Sequence, residues 1–123
     1  MTVDAKATCH CGSVAIKLTL PNGIENAERC SCSICSRKFA VFIGVHLDDL
    51  EVLKGKSSIK EYKFHTHSSK HYFCSNCGIH THHRSRMTPT RYVVNLSCIE
   101  GVKIEDYADA PYFNGRDHPK DAE

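Results

Sequence analysis

Apolar and polar residues alternate in several short runs along the chain, and a period of two predicts strands. In SVAIKLTL, Val14, Ile16, Leu18 and Leu20 fall on one face, and the Pro21-Asn22-Gly23 triplet after them is a turn signal. In FAVFIGVHL, Val41, Ile43, Val45 and Leu47 share one face, with Phe42 and Gly44 on the other. SIKEYKF, KHYF and RYVVNLSCI read as further strands. Helical periodicity is weak: a single turn within Ser33–Lys38 is the best candidate, and LDDLEVL offers another. The expectation is a mainly β domain spanning 1–123, built from short antiparallel strands with little helix. The polar stretch after Pro111 carries turn residues and is expected to be irregular. Phe39, Phe42, Tyr62, Phe64, Tyr72, Phe73 and Tyr92 fall in or beside the strands and are expected in the core.

Composition narrows the partners. The 123 residues suffice for one domain with a modest core. A formal net charge of +2 gives no field that calls for nucleic acid or an anionic membrane, although nine histidines would raise it in acid. No face interleaves basic and aromatic residues as a nucleic-acid stacking platform does. No run approaches the roughly 18 apolar residues that span a bilayer, and MTVDAKATCHCG lacks an apolar signal core. A reducing cytoplasm is the expected compartment.

The eight cysteines change the picture most. In a secreted chain they would imply four disulfides, but in a reducing compartment thiols are more often metal ligands. Seven of the eight fall in three tight groups. CHCG places Cys9 and Cys11 on one face of an extended segment, and CSNCG places Cys74 and Cys77 at knuckle spacing. Gly12 and Gly78 after each pair can take positive φ and turn backbone amides toward the sulfurs. Together the two pairs supply the four thiolates of a closed structural zinc site, which would staple the N-terminus to a hairpin more than 60 residues downstream. The plainer alternative is a redox C-x-x-C beside an unrelated C-x-C.

RCSCSICSRK offers only three thiols, Cys30, Cys32 and Cys35. Three thiolates hold zinc but leave one position open, the mark of a catalytic or ligand-binding site. Three anionic sulfurs leave the ion electron-rich, so it acidifies water poorly and suits an incoming thiol better. The alternatives are a site closed by a histidine or by Cys98, weak metal binding, or a reversible disulfide.

These three groups, with TCHCGSVAI, YFCSNCGIHTHHR, NLSCIEG and FNGRDHP, resemble the glutathione-dependent formaldehyde-activating enzyme family, whose domain also occurs in the centromere protein V group. The likeness runs from about Thr8 to Pro119, and CGIHTHHR resembles a short-chain subgroup. It implies a β-tent fold of small coiled antiparallel sheets stapled by zinc. It implies two zinc ions per chain: a structural one on Cys9, Cys11, Cys74 and Cys77, and a second on Cys30, Cys32 and Cys35 that accepts the thiol of glutathione. The implied activity is a carbon–sulfur lyase run in reverse, in which the held sulfur adds to formaldehyde to give S-hydroxymethylglutathione.

Other polar residues have weaker claims. If the HTHH run is a strand, His80 and His82 share one face and His83 takes the other. His82 and His83 are candidate substrate contacts; the bland alternative for them, and for His71, is a hydrogen-bonded or surface histidine. Arg84, Arg86 and Arg91 could clamp a carboxylate or simply be solvated. Cys98 reads as a small hydrophobe within a strand. FNGRDHP reads equally as a lid and as a surface turn. Two rival functions stand beside the enzyme: a zinc-stabilised binding module without turnover, and a thiol- or zinc-sensing protein.

Overall fold

The computed structural model describes residues 2–64, 69–84 and 89–116. In chain order the elements are β1 (Val3–Thr8), β2 (Ala15–Leu20), β3 (Arg29–Cys30), α1 (Ser33–Lys38), β4 (Phe42–His46), β5 (Leu50–Lys54), β6 (Ile59–Tyr62), β7 (Lys70–Cys74), β8 (His80–Arg84), β9 (Arg91–Asn95) and β10 (Tyr112–Phe113). The alternating runs become β2, β4, β6, β7 and β9, and in β2 and β4 the period-two pattern buries one face. The single helical turn appears where SICSRK was expected to bend. LDDLEVL divides into a 3-10 turn at Leu47–Asp49 and then β5.

The strands form two antiparallel sheets and one small parallel pair. β1, β2 and β5 make the first sheet, and β4, β9, β8, β7 and β6 the second, in those spatial orders. The inner faces meet in the main core, where Ile16 and Leu18 of β2 pack with Ile43 and Val45 of β4 and Val94 of β9. Fully burying an aliphatic side chain is worth about 1.5–3 kcal/mol, so this layer supplies most of the apolar drive. The result is the mainly β, small-sheet architecture expected of a β-tent.

The second sheet is also covered on its outer face. Phe42 and Val93 point there and pack with Cys32 and Cys35 of the α1 region. α1 starts at Cys32, whose side chain caps it, and stops at Phe39, which takes the left-handed conformation at φ 50°. That conformation is uncommon for a bulky residue.

Three expectations need correction. Phe39 is 73% exposed and Tyr62 is 51% exposed, so neither is a core aromatic. The stretch after Pro111 is not wholly irregular: Tyr112 and Phe113 pair in parallel with Arg29 and Cys30 as β10 and β3. His80 does not share a face with His82. Tyr72 pairs with His82 but Phe73 pairs with His80, so Thr81 is an extra residue in β8. Such a bulge reverses the alternation, and His80 turns to the outer face with His83.

Candidate functional site

The first cysteine cluster forms where the end of β1 meets the β7–β8 hairpin. Its four sulfurs, from Cys9, Cys11, Cys74 and Cys77, lie within 4.8 Å of one another. Cys11 Sγ stands 3.7 Å from both Cys9 Sγ and Cys74 Sγ. A tetrahedral ion with sulfurs at 2.3 Å has edges of about 3.8 Å, so the donor set fits a four-sulfur metal. Gly12 and Gly78 take φ 81° and 76°, as the turns require. The amide of Val14 donates to Cys9 Sγ at 3.3 Å. Backbone amides of Cys11 and Ile79 donate to Cys77 and hold its thiol down to about 6. Such donors favour the thiolate that a metal needs.

The second cluster sits at the start of α1. Cys30, Cys32 and Cys35 bring their sulfurs within 4.8 Å. The Cys35 amide donates to Cys32 Sγ at 3.4 Å, and the Cys32 amide to Cys30 Sγ at 3.5 Å. The thiols of Cys30 and Cys35 donate to Cys32 and hold it down to about 2. The same sharing pushes Cys30 and Cys35 up. Three sulfurs this close do not ionise together unaided, whereas a divalent cation among them would displace all three protons. The cluster thus has the composition of a three-sulfur metal site, and no fourth histidine, cysteine or carboxylate joins it among the described residues.

A cavity of about 260 Å³ opens beside this cluster, lined by Cys30, Cys35, Arg29, Phe39, Tyr112 and Arg116 among others. Arg29 is fixed in place. It donates to the Ala108 carbonyl at 2.9 Å and to the Tyr112 hydroxyl at 3.4 Å, and its guanidinium lies over the Phe39 and Tyr112 rings. Its Nε is shut off from solvent with no hydrogen-bond partner. A buried donor left without an acceptor costs about 1–3 kcal/mol. The tail runs along the trio: Ser31 and Arg29 amides donate to the Phe113 and Pro111 carbonyls, and Gly115 packs on Cys30 and Cys32.

The remaining sequence candidates fall elsewhere. His83 lies on the outer face of the second sheet, edge-on to Phe42 at 5.2 Å, and so on the side of the cysteine trio. His82 points the other way, stacked on Tyr72 and edge-on to Tyr92. Burial lowers His82 to about 4. Arg84 lies over Tyr92 and donates to the Pro89 carbonyl, Arg91 lines a different surface hollow, and Arg86 lies outside the described residues. Cys98 is buried, donates to the His80 carbonyl, and is pushed up to about 11 by burial. It joins neither cluster and packs as a small apolar residue. Of FNGRDHP, the part through Arg116 lies against the trio, while Asp117, His118 and Pro119 are outside the described residues.

Arg29, Phe39, Tyr112 and Arg116 were not singled out from the sequence as lining the trio's cavity. Two signals were present: Arg29 adjoins the first cysteine of the trio, and Arg116 lies in a tail segment with turn residues.

Among the described residues no helix is long and apolar enough to cross a membrane. The family model for the glutathione-dependent formaldehyde-activating enzyme matches residues 4–112. A crystal structure of a Rhodobacter sphaeroides protein, solved as a structural genomics target, is 44% identical in sequence. The match covers 88% of this chain and 99% of that one, with a TM-score of 0.84. With both cysteine clusters assembled and the match running over most of its length, the chain belongs to the glutathione-dependent formaldehyde-activating enzyme family.

Proposed function

We propose that the chain is a zinc-dependent carbon–sulfur lyase-like enzyme that takes glutathione as its thiol and adds it to, or releases it from, a small aldehyde such as formaldehyde. Cys9, Cys11, Cys74 and Cys77 would hold a structural zinc, and Cys30, Cys32 and Cys35 a second. Zinc at the trio would supply the Lewis acidity that keeps an incoming thiol ionised near neutral pH. In the addition, the thiol loses its proton, its sulfur bonds to the carbonyl carbon, and the carbonyl π pair moves to oxygen, which takes up a proton. The product is S-hydroxymethylglutathione.

The observation that carries this reading is the cavity. Cys30 and Cys35 of the trio line a space that also holds the Arg29 and Arg116 side chains. Arg29 and Arg116 line the cavity and offer two positive charges to the carboxylates of a tripeptide thiol. The Phe39 and Tyr112 rings hold the Arg29 guanidinium. Gly115 covers the trio from the tail side, so a ligand approaches from the cavity.

Cobalt substitution tests this. Glutathione added to the cobalt-loaded chain should strengthen the sulfur-to-cobalt charge-transfer absorption as a fourth sulfur arrives. A spectrum unchanged by glutathione and by smaller thiols would leave a zinc-stabilised module without this chemistry. Exchange spectroscopy of glutathione with formaldehyde then reads turnover directly, against the uncatalysed rate.

A further inference from the structure

A third convergence of ligand atoms lies outside both cysteine clusters. His71, His80 and His83 bring ring nitrogens within 4.8 Å of one another. They reach this point from two strands. His71 of β7 pairs across from His83 of β8, and the rings stack at 4.7 Å. His80 joins them only because the extra residue, Thr81, turns it to the same face. His80 Nε2 then comes 3.1 Å from His83 Nδ1. His71 and His83 are buried, and the frame is apolar: Phe42 stands edge-on to His80 and His83, and Phe64 lies against His71.

The group already holds a cation. Lys38 reaches in from the end of α1, with Nζ 2.8 Å from His71 Nδ1 and 3.4 Å from His80 Nε2. No carboxylate belongs to the cluster among the described residues. The Lys38 amine is held by imidazole nitrogens, and the nearby sulfurs of Cys35, Cys32 and Cys30 favour its charged form. An ammonium on a flexible four-carbon stem can leave, and what it leaves is three imidazole donors at one point. That donor set suits divalent zinc, cobalt, nickel or copper and does not suit magnesium or calcium.

We propose that His71, His80 and His83 form a third cation site, which takes a nitrogen-preferring divalent transition-metal ion in exchange for the Lys38 ammonium. The donor set includes none of the trio's sulfurs, but its competitor Lys38 feels their charge. The exchange makes Lys38 a competitor for the metal, which sets the site apart from three histidines that merely pack.

The test uses the full chain loaded with two equivalents of zinc and titrated with Co2+. A third ion should bind and give visible d–d absorption without sulfur-to-cobalt charge transfer. His71→Gln and His80→Gln should each weaken it at least about tenfold, and Lys38→Met should tighten it by about 10- to 100-fold, the range over which a neighbouring group tunes a metal site. Zinc content and thermal unfolding show whether each variant keeps its fold; His80, the least buried of the three, is the variant that leaves the core intact. The proposal is overturned if the zinc-loaded wild type binds no third ion at millimolar Co2+. It is also overturned if the third ion persists in both histidine variants, or if only Lys38→Met binds it.

Discussion

Gly115 lies so close to Cys30 that a methyl group on its α-carbon would stand 2.5 Å from the Cys30 sulfur and 2.9 Å from the Cys32 β-carbon. Residues 85 positions apart in the chain thus share one wall of the cysteine trio. Gly115→Ala should force either the tail or the cluster to move, an overpacking that costs about 1–3 kcal/mol. The expected outcome is lower metal occupancy at the trio with the four-cysteine site unchanged, read by metal analysis. Full occupancy of both sites in this variant would show that the tail does not hold the trio in place.

The two cysteine clusters should respond differently to loss of one ligand. Cys74 is fully buried and joins the N-terminal segment to the β7–β8 hairpin. Cys74→Ser should cost more than about 4 kcal/mol, a large part of the 5–15 kcal/mol a domain has. Circular dichroism should show an unfolded or strongly destabilised chain, and a chelator should reproduce the effect in the wild type.

Cys32→Ser should behave otherwise. The serine can still cap α1, and the main core between the sheets does not include this residue. Unfolding should therefore shift little, while the thiol-dependent change in the cobalt spectrum disappears. Loss of the fold on this substitution would make the trio structural.

Arg29→Met should weaken glutathione more than a small neutral thiol such as 2-mercaptoethanol. A hydrogen bond to a charged group is worth about 1.5–3 kcal/mol, or about 10- to 100-fold in affinity. Arg29→Lys should not restore it, because the guanidinium is held by two aromatic rings and a carbonyl as well as by charge. Equal losses for both thiols would remove Arg29 from carboxylate recognition.

Acid should expose the buried histidines. Burial lowers His82 from an ordinary 6.5 to about 4 in the folded chain. Between those values the unfolded chain binds a proton that the folded chain does not. Stability contributed by neutral His82 is therefore intact above pH 6.5 and falls as pH drops toward 4, by up to about 1.4 kcal/mol per unit. His82→Phe, compared with wild type at equal zinc loading, should flatten the acid limb of unfolding free energy by close to one proton. An unchanged slope would mean that His82 titrates alike in both states.

Local pattern fixes local structure, and here it did so wherever one signal acted alone. Period-two patterning identified β2, β4, β6, β7 and β9; of the two helical candidates, Ser33–Lys38 became α1, while LDDLEVL became a 3-10 turn and β5. Cysteine spacing paired the four-sulfur set across more than 60 residues, because C-x-C and C-x-x-C are each half of one tetrahedron. β1 escaped, since two of the three apolar positions in Val3–Thr8 are small alanines and the run bears little apolar surface. The aromatic residues misled: Phe39 follows a helix end and points outward over Arg29, a placement set by the pocket it lines.

The sequence by itself determined the strands with a strong alternating pattern, the short helix and the two cysteine clusters, because each is written in residues close together or in ligand sets that complete one another. Tertiary structure alone decided the rest. An extra residue at Thr81 reverses the face of His80 through its pairing with β7, and a strand pair is defined only by its partner. The parallel match of Tyr112–Phe113 with Arg29–Cys30 sets the tail, Gly115 and Arg116 against the trio. Those contacts join residues more than 80 positions apart through packing, which leaves no spacing to read along the chain.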